Sequence, residues 1–294
     1  MRIVRKGWTL HEMIISLAVT GAVLALAVHA ALGQLRFFHG VGEITNLRGQ
    51  LAQTTLVPRA LLWGVSPVAG DIAVAQDTAL ELNVVTGTAV VCESAAGWVA
   101  VPAPTPEGNT LSAFSEAPQP DDRIAALLDD TAGTTWLRLR VAVAPVAGLA
   151  CPAFSAATSA WRIGLVEQVA LPVGAVIRFL RPMRLSAYRA SDGRWYLGAR
   201  DWNAASSRFN TIQPLAGPID PPASDRSVTG FRFEYFGEDG SLLDEGIDTR
   251  RIAAVRVLAR GESRVAVRVA GVATDANDRM LDSASIEIAL RNAR

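Results

Sequence analysis

The sequence predicts an α+β chain: a long N-terminal helix, membrane-spanning in its first half and amphipathic in its second, packed on an antiparallel β-rich domain. Three observations predict it. From Met13 to Leu35 there are 23 residues with no Asp, Glu, Lys or Arg. Beyond them, apolar residues recur at three- and four-residue spacing to about residue 63. After Pro67 the pattern changes to period two and keeps it to the C-terminus.

The helix comes first. At 1.5 Å per residue the uncharged run makes roughly 35 Å of helix, enough to cross a hydrocarbon core of about 30 Å. Residues 8–35 therefore read as the spanning half. Arg2, Arg5 and Lys6 precede it, and the positive-inside rule keeps that end cytoplasmic. Residues 36–63 read as the amphipathic continuation. Ile44, Leu47 and Leu51 form its apolar stripe, extended by Leu61 and Leu62, with Glu43, Asn46, Arg48 and Gln50 between. Gly40, Gly42 and Gly49 weaken this stretch locally, and Pro58 marks a kink or an end.

Residues 64–294 read as a β-rich extracytoplasmic domain of nine to twelve strands, with a possible subdivision near 150–159. Thr78–Val85 and Thr88–Cys92 read as a hairpin about Thr86-Gly87. Pro102–Pro120 reads as a surface loop, and Asp121–Asp130 as a short helix. Trp136–Val143 alternates, with Leu137, Leu139 and Val141 on one face and Arg138 and Arg140 on the other. Trp161–Val169 is the next strand. Ala175–Tyr188 and Arg194–Leu197 flank the turn signal Ser191-Asp192-Gly193, and Asn203–Ser227 reads as a long loop. Phe231, Phe233 and Tyr235 alternate with Arg232 and Glu234 up to a turn at Glu238-Asp239-Gly240. Ile252–Ala259, the alternating Val265, Val267 and Val269, and Ser283–Leu290 complete the set. Such alternation suits antiparallel sheets with one solvated face.

The most informative short stretch is Gly7-Trp8-Thr9-Leu10-His11-Glu12, set between the basic stub and the apolar run. A carboxylate at the mouth of a spanning segment is expensive. The arrangement resembles the N-terminal signature of type IV prepilins and type II secretion pseudopilins. That signature is a basic leader ending in Gly, then an aromatic, Thr or Ser, Leu, an apolar residue, Glu and a hydrophobic helix. Trp8 stands where Phe is commonest, and His11 where an aliphatic is usual. The resemblance implies a leader of residues 1–7, cut between Gly7 and Trp8 by a membrane prepilin peptidase that also N-methylates Trp8. It implies that Glu12 is an assembly contact, pairing with the α-amine of Trp8 in a neighbouring subunit. It further implies other pilin or pseudopilin subunits and an inner-membrane assembly platform as partners, and a pilin-like domain behind the helix. Thr229–Ala259, ending in Ile252-Ala-Ala-Val255-Arg-Val257, also resembles the C-terminal part of larger minor pilins and J-type pseudopilins, a much less specific match. The competing reading of the N-terminus is a secretory signal peptide cut after Ala30. Against it, the apolar run is longer than usual and Glu12 sits where such peptides carry no charge.

The rest of the composition restricts chemistry. Lys6 is the sole lysine, which excludes a P-loop, a Schiff-base lysine and a Ser–Lys dyad from the mature chain. His11, His29 and His39 are the only histidines, so a Ser-His-Asp triad, a Cys-His pair or a His-ligated zinc cannot be built after residue 39. No enzyme is expected, and no cofactor. Loss of the leader leaves 25 basic against 28 acidic residues, a net charge of −3, and no basic run exists. A nucleic-acid partner is therefore not expected. Asp192-Gly193, Glu238-Asp239-Gly240, Asp244 and Glu245 offer oxygen ligands for calcium, but turn chemistry accounts for them without metal. Trp98, Trp136, Trp161, Trp195 and Trp202 read as packing or loop anchors before they read as a binding site. The two cysteines, Cys92 and Cys151, lie in the exported part and are expected to pair, closing a loop of about 60 residues.

Overall fold

The structure, a computed structural model, describes residues 9–105, 108, 111–130, 133–151, 153–222, 230–244, 246–267, 269, 272, 274–275 and 277–290. It is α+β: helix α1 (Leu10–Leu62) leads into antiparallel sheet. The chain divides into two compact units, Met1–Gly49 with Glu262–Asp282, and Gln50–Gly261 with Ser283–Arg294.

In chain order the strands are β1 (Ile72–Ala75), β2 (Ala79–Val90), β3 (Glu93–Ala95), β4 (Trp98–Pro102), β5 (Ser112–Phe114), β6 (Arg123–Asp130), β7 (Gly133–Cys151) and β8 (Ser155–Leu165). There follow β9 (Val176–Arg189), β10 (Trp195–Asn203), β11 (Arg208–Phe209), β12 (Gln213–Ile219), β13 (Arg232–Phe236), β14 (Leu242–Leu243), β15 (Ala254–Glu262) and β16 (Leu281–Ala289). Twelve form one sheet whose main path is β1-β2-β9-β6-β7-β8-β4-β3, with β10, β11, β12 and β5 branching from it. The other four form a second sheet, β14-β13-β15-β16.

The core follows the alternation. Val99, Val101, Ile124, Leu139, Val141, Ile163, Ile177 and Phe179 pack as one buried cluster. In the second sheet Phe233, Tyr235, Val255 and Val257 are buried, as is Phe231 just before β13. The Tyr235 hydroxyl donates to the Gln76 carbonyl at 2.8 Å, and burial pushes that phenol well above its usual range. The Ser191-Asp192-Gly193 turn joins β9 to β10 as expected, and Glu238-Asp239-Gly240 joins β13 to β14.

Several local expectations are corrected. The hairpin about Thr86-Gly87 is instead the single strand β2, with a register irregularity between Val85 and Gly87. Gly87 is there for space: a Cβ on it would lie 2.2 Å from a Phe114 ring carbon. Asp121–Asp130 is not a helix. Ile124, Ala125 and Ala126 are all buried, and β6 is hydrogen-bonded between β7 and β9, so sheet pairing overrides the helix propensity of Ala and Leu. The expected loops 102–120 and 203–227 contain β5 and β11–β12, which pair with β2 and β10. The valines at 265, 267 and 269 lie in no strand. Ser263 and Val267 donate their N–H groups to the carbonyls of Met280 and Asp278, and Arg264 donates its N–H to the Glu43 carboxylate on α1. Cys151 of β7 pairs with Ser155 of β8. The described residues hold sixteen strands rather than nine to twelve, the excess being pieces of two to five residues, too short for periodicity to reveal. Pro58 neither ends nor interrupts α1, which stops four residues later.

Candidate functional site: the N-terminal helix

Every described residue from Thr9 to His39 is exposed. Leu17 is 79 % exposed and Leu26 71 %, values that for so continuous an apolar surface call for a non-aqueous neighbour. The helix is long and apolar enough to cross a membrane and is compatible with a single-pass anchor. Gly21, Leu24, Ala25, Val28, His29 and Leu32 line a shallow indentation along it, and nothing lies within 4 Å of a Cβ placed on Gly21. Small residues of this kind let another helix approach closely.

Gly7 and Trp8 lie outside the described residues, as do Arg2, Arg5 and Lys6. Glu12 is described, and its carboxylate has partners inside its own chain. It accepts the Thr9 N–H at 2.9 Å and the Thr9 hydroxyl at 3.1 Å, while the Thr9 hydroxyl oxygen accepts the Glu12 N–H at 3.4 Å. This is a reciprocal capping box at the helix start. Thr at one position, Glu three residues on and an apolar run behind them are the sequence signal for it. The cap satisfies donors that a helix N-terminus otherwise leaves open, and a carboxylate there also suits the helix dipole.

The helix settles onto protein from Gly40. A Cβ at Gly40 would lie 2.8 Å from Val269 Cγ2, so this glycine serves close approach. Gly42 and Gly49 face open space. Arg48 pairs with Asp282 at 3.1 Å within the same unit. In the other unit, the chain leaving α1 is clamped to the sheet. The fully buried Asp71 takes Arg138 of β7 at 2.8 Å and Arg178 of β9 at 3.1 Å, and these arginines also donate to the carbonyls of Ala69 and Gly64. Two cations around one buried carboxylate, all also bonded to backbone, is the condition under which a buried ion group persists.

Cys92 and Cys151 form the expected disulfide, with Cα atoms 5.5 Å apart. The arginines on the polar phase of the strands are engaged in ion pairs. Arg138 holds Asp71, Arg140 meets Glu167, Arg232 meets Glu234, and Arg256 bridges Glu234 and Glu287. Arg268 and Glu245 lie outside the described residues. The acidic turns are used locally. Asp192 accepts the Arg194 N–H and the Tyr196 hydroxyl, and Asp239 accepts the Ser241 N–H and hydroxyl. These bonds hold both carboxyls below the usual range. Among the described residues no three His, Cys, Asp or Glu side chains gather as a metal site. The tryptophans are scattered: Trp98 lies under Arg162, Trp161 against Phe114, Trp202 against Phe209 and Trp136 near Arg178.

Comparison with known protein families, curated proteins and solved structures gives no match to this chain.

Proposed function

We propose that the chain is a minor pilin or minor pseudopilin, a structural subunit that initiates or caps a type IV pilus or a type II secretion pseudopilus. The observation that carries this reading is Gly7-Trp8-Thr9-Leu10-His11-Glu12 at the mouth of a helix whose apolar residues are exposed up to His39. The subunit is held in the inner membrane with its N-terminus cytoplasmic and its β-rich bulk outside. A prepilin peptidase removes residues 1–7 and methylates Trp8. The subunit then leaves the bilayer by packing α1 against its neighbours, with Glu12 paired to a Trp8 amine. A buried carboxylate needs such a cation, and the pair sets the register between helices.

A second reading, an anchored binding module such as a tip adhesin, draws on the capping box. Thr9 gives Glu12 a purpose without any neighbour. Two substitutions separate the readings, because Gln can close a capping box and Ala cannot. In the filament reading, Glu12→Gln and Glu12→Ala are both cleaved and both fall at least about tenfold in incorporation, a loss on the order of 1.4 kcal/mol or more. Normal incorporation of Glu12→Gln confines Glu12 to capping and removes the assembly contact.

A further inference from the structure

Just past the uncharged run stand Arg36, Phe37, Phe38 and His39. All four are exposed, and the two phenylalanine rings sit edge to face with centroids 5.9 Å apart. Successive helical residues point about 100° apart, so four in a row encircle the helix. A protein-docking stripe would instead recur at three- and four-residue spacing on one side. A ring of basic and aromatic side chains suits a boundary plane that the helix crosses.

The spacing on either side identifies the plane. Leu35 is the last residue of the run without charge, and Gly40 is the first that its own unit covers, through Val269. Those five steps rise about 7.5 Å. The polar layer on each side of a bilayer is roughly 5–7 Å thick. Immediately beyond, the segment of the same unit that meets α1 is polar and charged: the Arg264 backbone N–H donates to the Glu43 carboxylate, Arg279 pairs with Glu262 and Asp282 with Arg48. Such a surface belongs in water. Hydrocarbon, headgroup layer and water thus follow one another along the helix.

We propose that Arg36, Phe37, Phe38 and His39 form a collar that binds phospholipid headgroups and sets the depth of the anchored subunit. Arg36 pairs with lipid phosphate, since a guanidinium donates bidentately to phosphate oxygens. The phenylalanines lie at the acyl boundary, where amphipathic and aromatic side chains hold helices in place. The collar rests on residues 13–35 being a membrane span. It adds that the extracytoplasmic unit begins directly at the membrane surface, so extraction into a filament must first break the contacts with headgroups.

The test uses the full chain reconstituted in vesicles of phosphatidylethanolamine and phosphatidylglycerol. The described residues hold no free cysteine, so one introduced cysteine takes one spin label. Labels are placed by Leu24→Cys, His39→Cys and Arg264→Cys, and depth is read from collision with oxygen and with a water-soluble nickel complex. The collar predicts position 24 in hydrocarbon, 39 at phosphate level and 264 in water. Replacing Arg36, Phe37 and Phe38 together by Ala is expected to move the position-39 label by up to one helical turn, about 5 Å. Position 24 in hydrocarbon with 39 in bulk water or deep in the acyl region overturns the collar and leaves the anchor. An unchanged depth in the triple variant does the same. Position 24 in water overturns the anchor itself.

Discussion

At the residue scale, Glu12 carries two explanations at once. It closes a cap with Thr9 inside its own helix, and it lies fifth after the expected cut at Gly7. The two are compatible in sequence, since a threonine three residues before the carboxylate serves the cap while leaving the charge for a neighbouring amine. The glycines of α1 show how much a residue's meaning depends on its partner. Gly40, Gly42 and Gly49 read alike in sequence, as weak points in a helix. Gly40 proves to be a contact position and Gly49 an open one. Gly49→Ala should therefore stabilise by about 1 kcal/mol through helix propensity. Gly40→Ala should lose at least as much, because its Cβ meets the stiff side chain of Val269. Denaturant unfolding of the detergent-solubilised chain, followed by helical circular dichroism, checks both. Equal stabilisation by the two changes would remove Val269 from the helix surface.

At the element scale, what the sequence shows depends on how far an element's environment is local. The uncharged run, the stripe through Leu47 and Leu51, and the Asp-Gly turns at 192–193 and 239–240 depend on period and turn chemistry, and all are readable in advance. Strand β6 was not, because Arg123-Ile-Ala-Ala-Leu-Leu has helix formers and only its two sheet neighbours decide otherwise. Gly87 mimics a turn residue while serving the ring of Phe114, 27 residues away in sequence. The clamp on Asp71 escaped notice for the same reason: its three charges come from positions 71, 138 and 178. The disulfide was accessible from the even cysteine count and the expectation of export. It joins residues 59 apart, and the chain-entropy account gives it roughly 4 kcal/mol. Replacing both cysteines by Ala should lower the urea midpoint by roughly 1.3–2.7 M for a slope of about 1.5–3 kcal/mol per molar. A midpoint unchanged within error would show that the bond constrains nothing in the unfolded chain.

At the scale of the whole molecule, the chain joins a helix made for an apolar surrounding to a sheet domain with its own core. Histidine and lysine are absent after residue 39, so that domain holds no His-ligated zinc, no Ser-His-Asp triad and no lysine nucleophile. Asp192 and Asp239 are tied into their own turns, and Arg232 and Arg256 into ion pairs. In the function proposed above, assembly is the work of the helix, and it begins with processing at the N-terminus. Mass spectrometry of the mature N-terminal peptide tests this most directly. The account predicts a chain beginning at N-methylated Trp8, with residues 1–7 removed. A mature chain beginning at Ala31 would contradict it, because the helix and Glu12 would then have been discarded as a signal peptide.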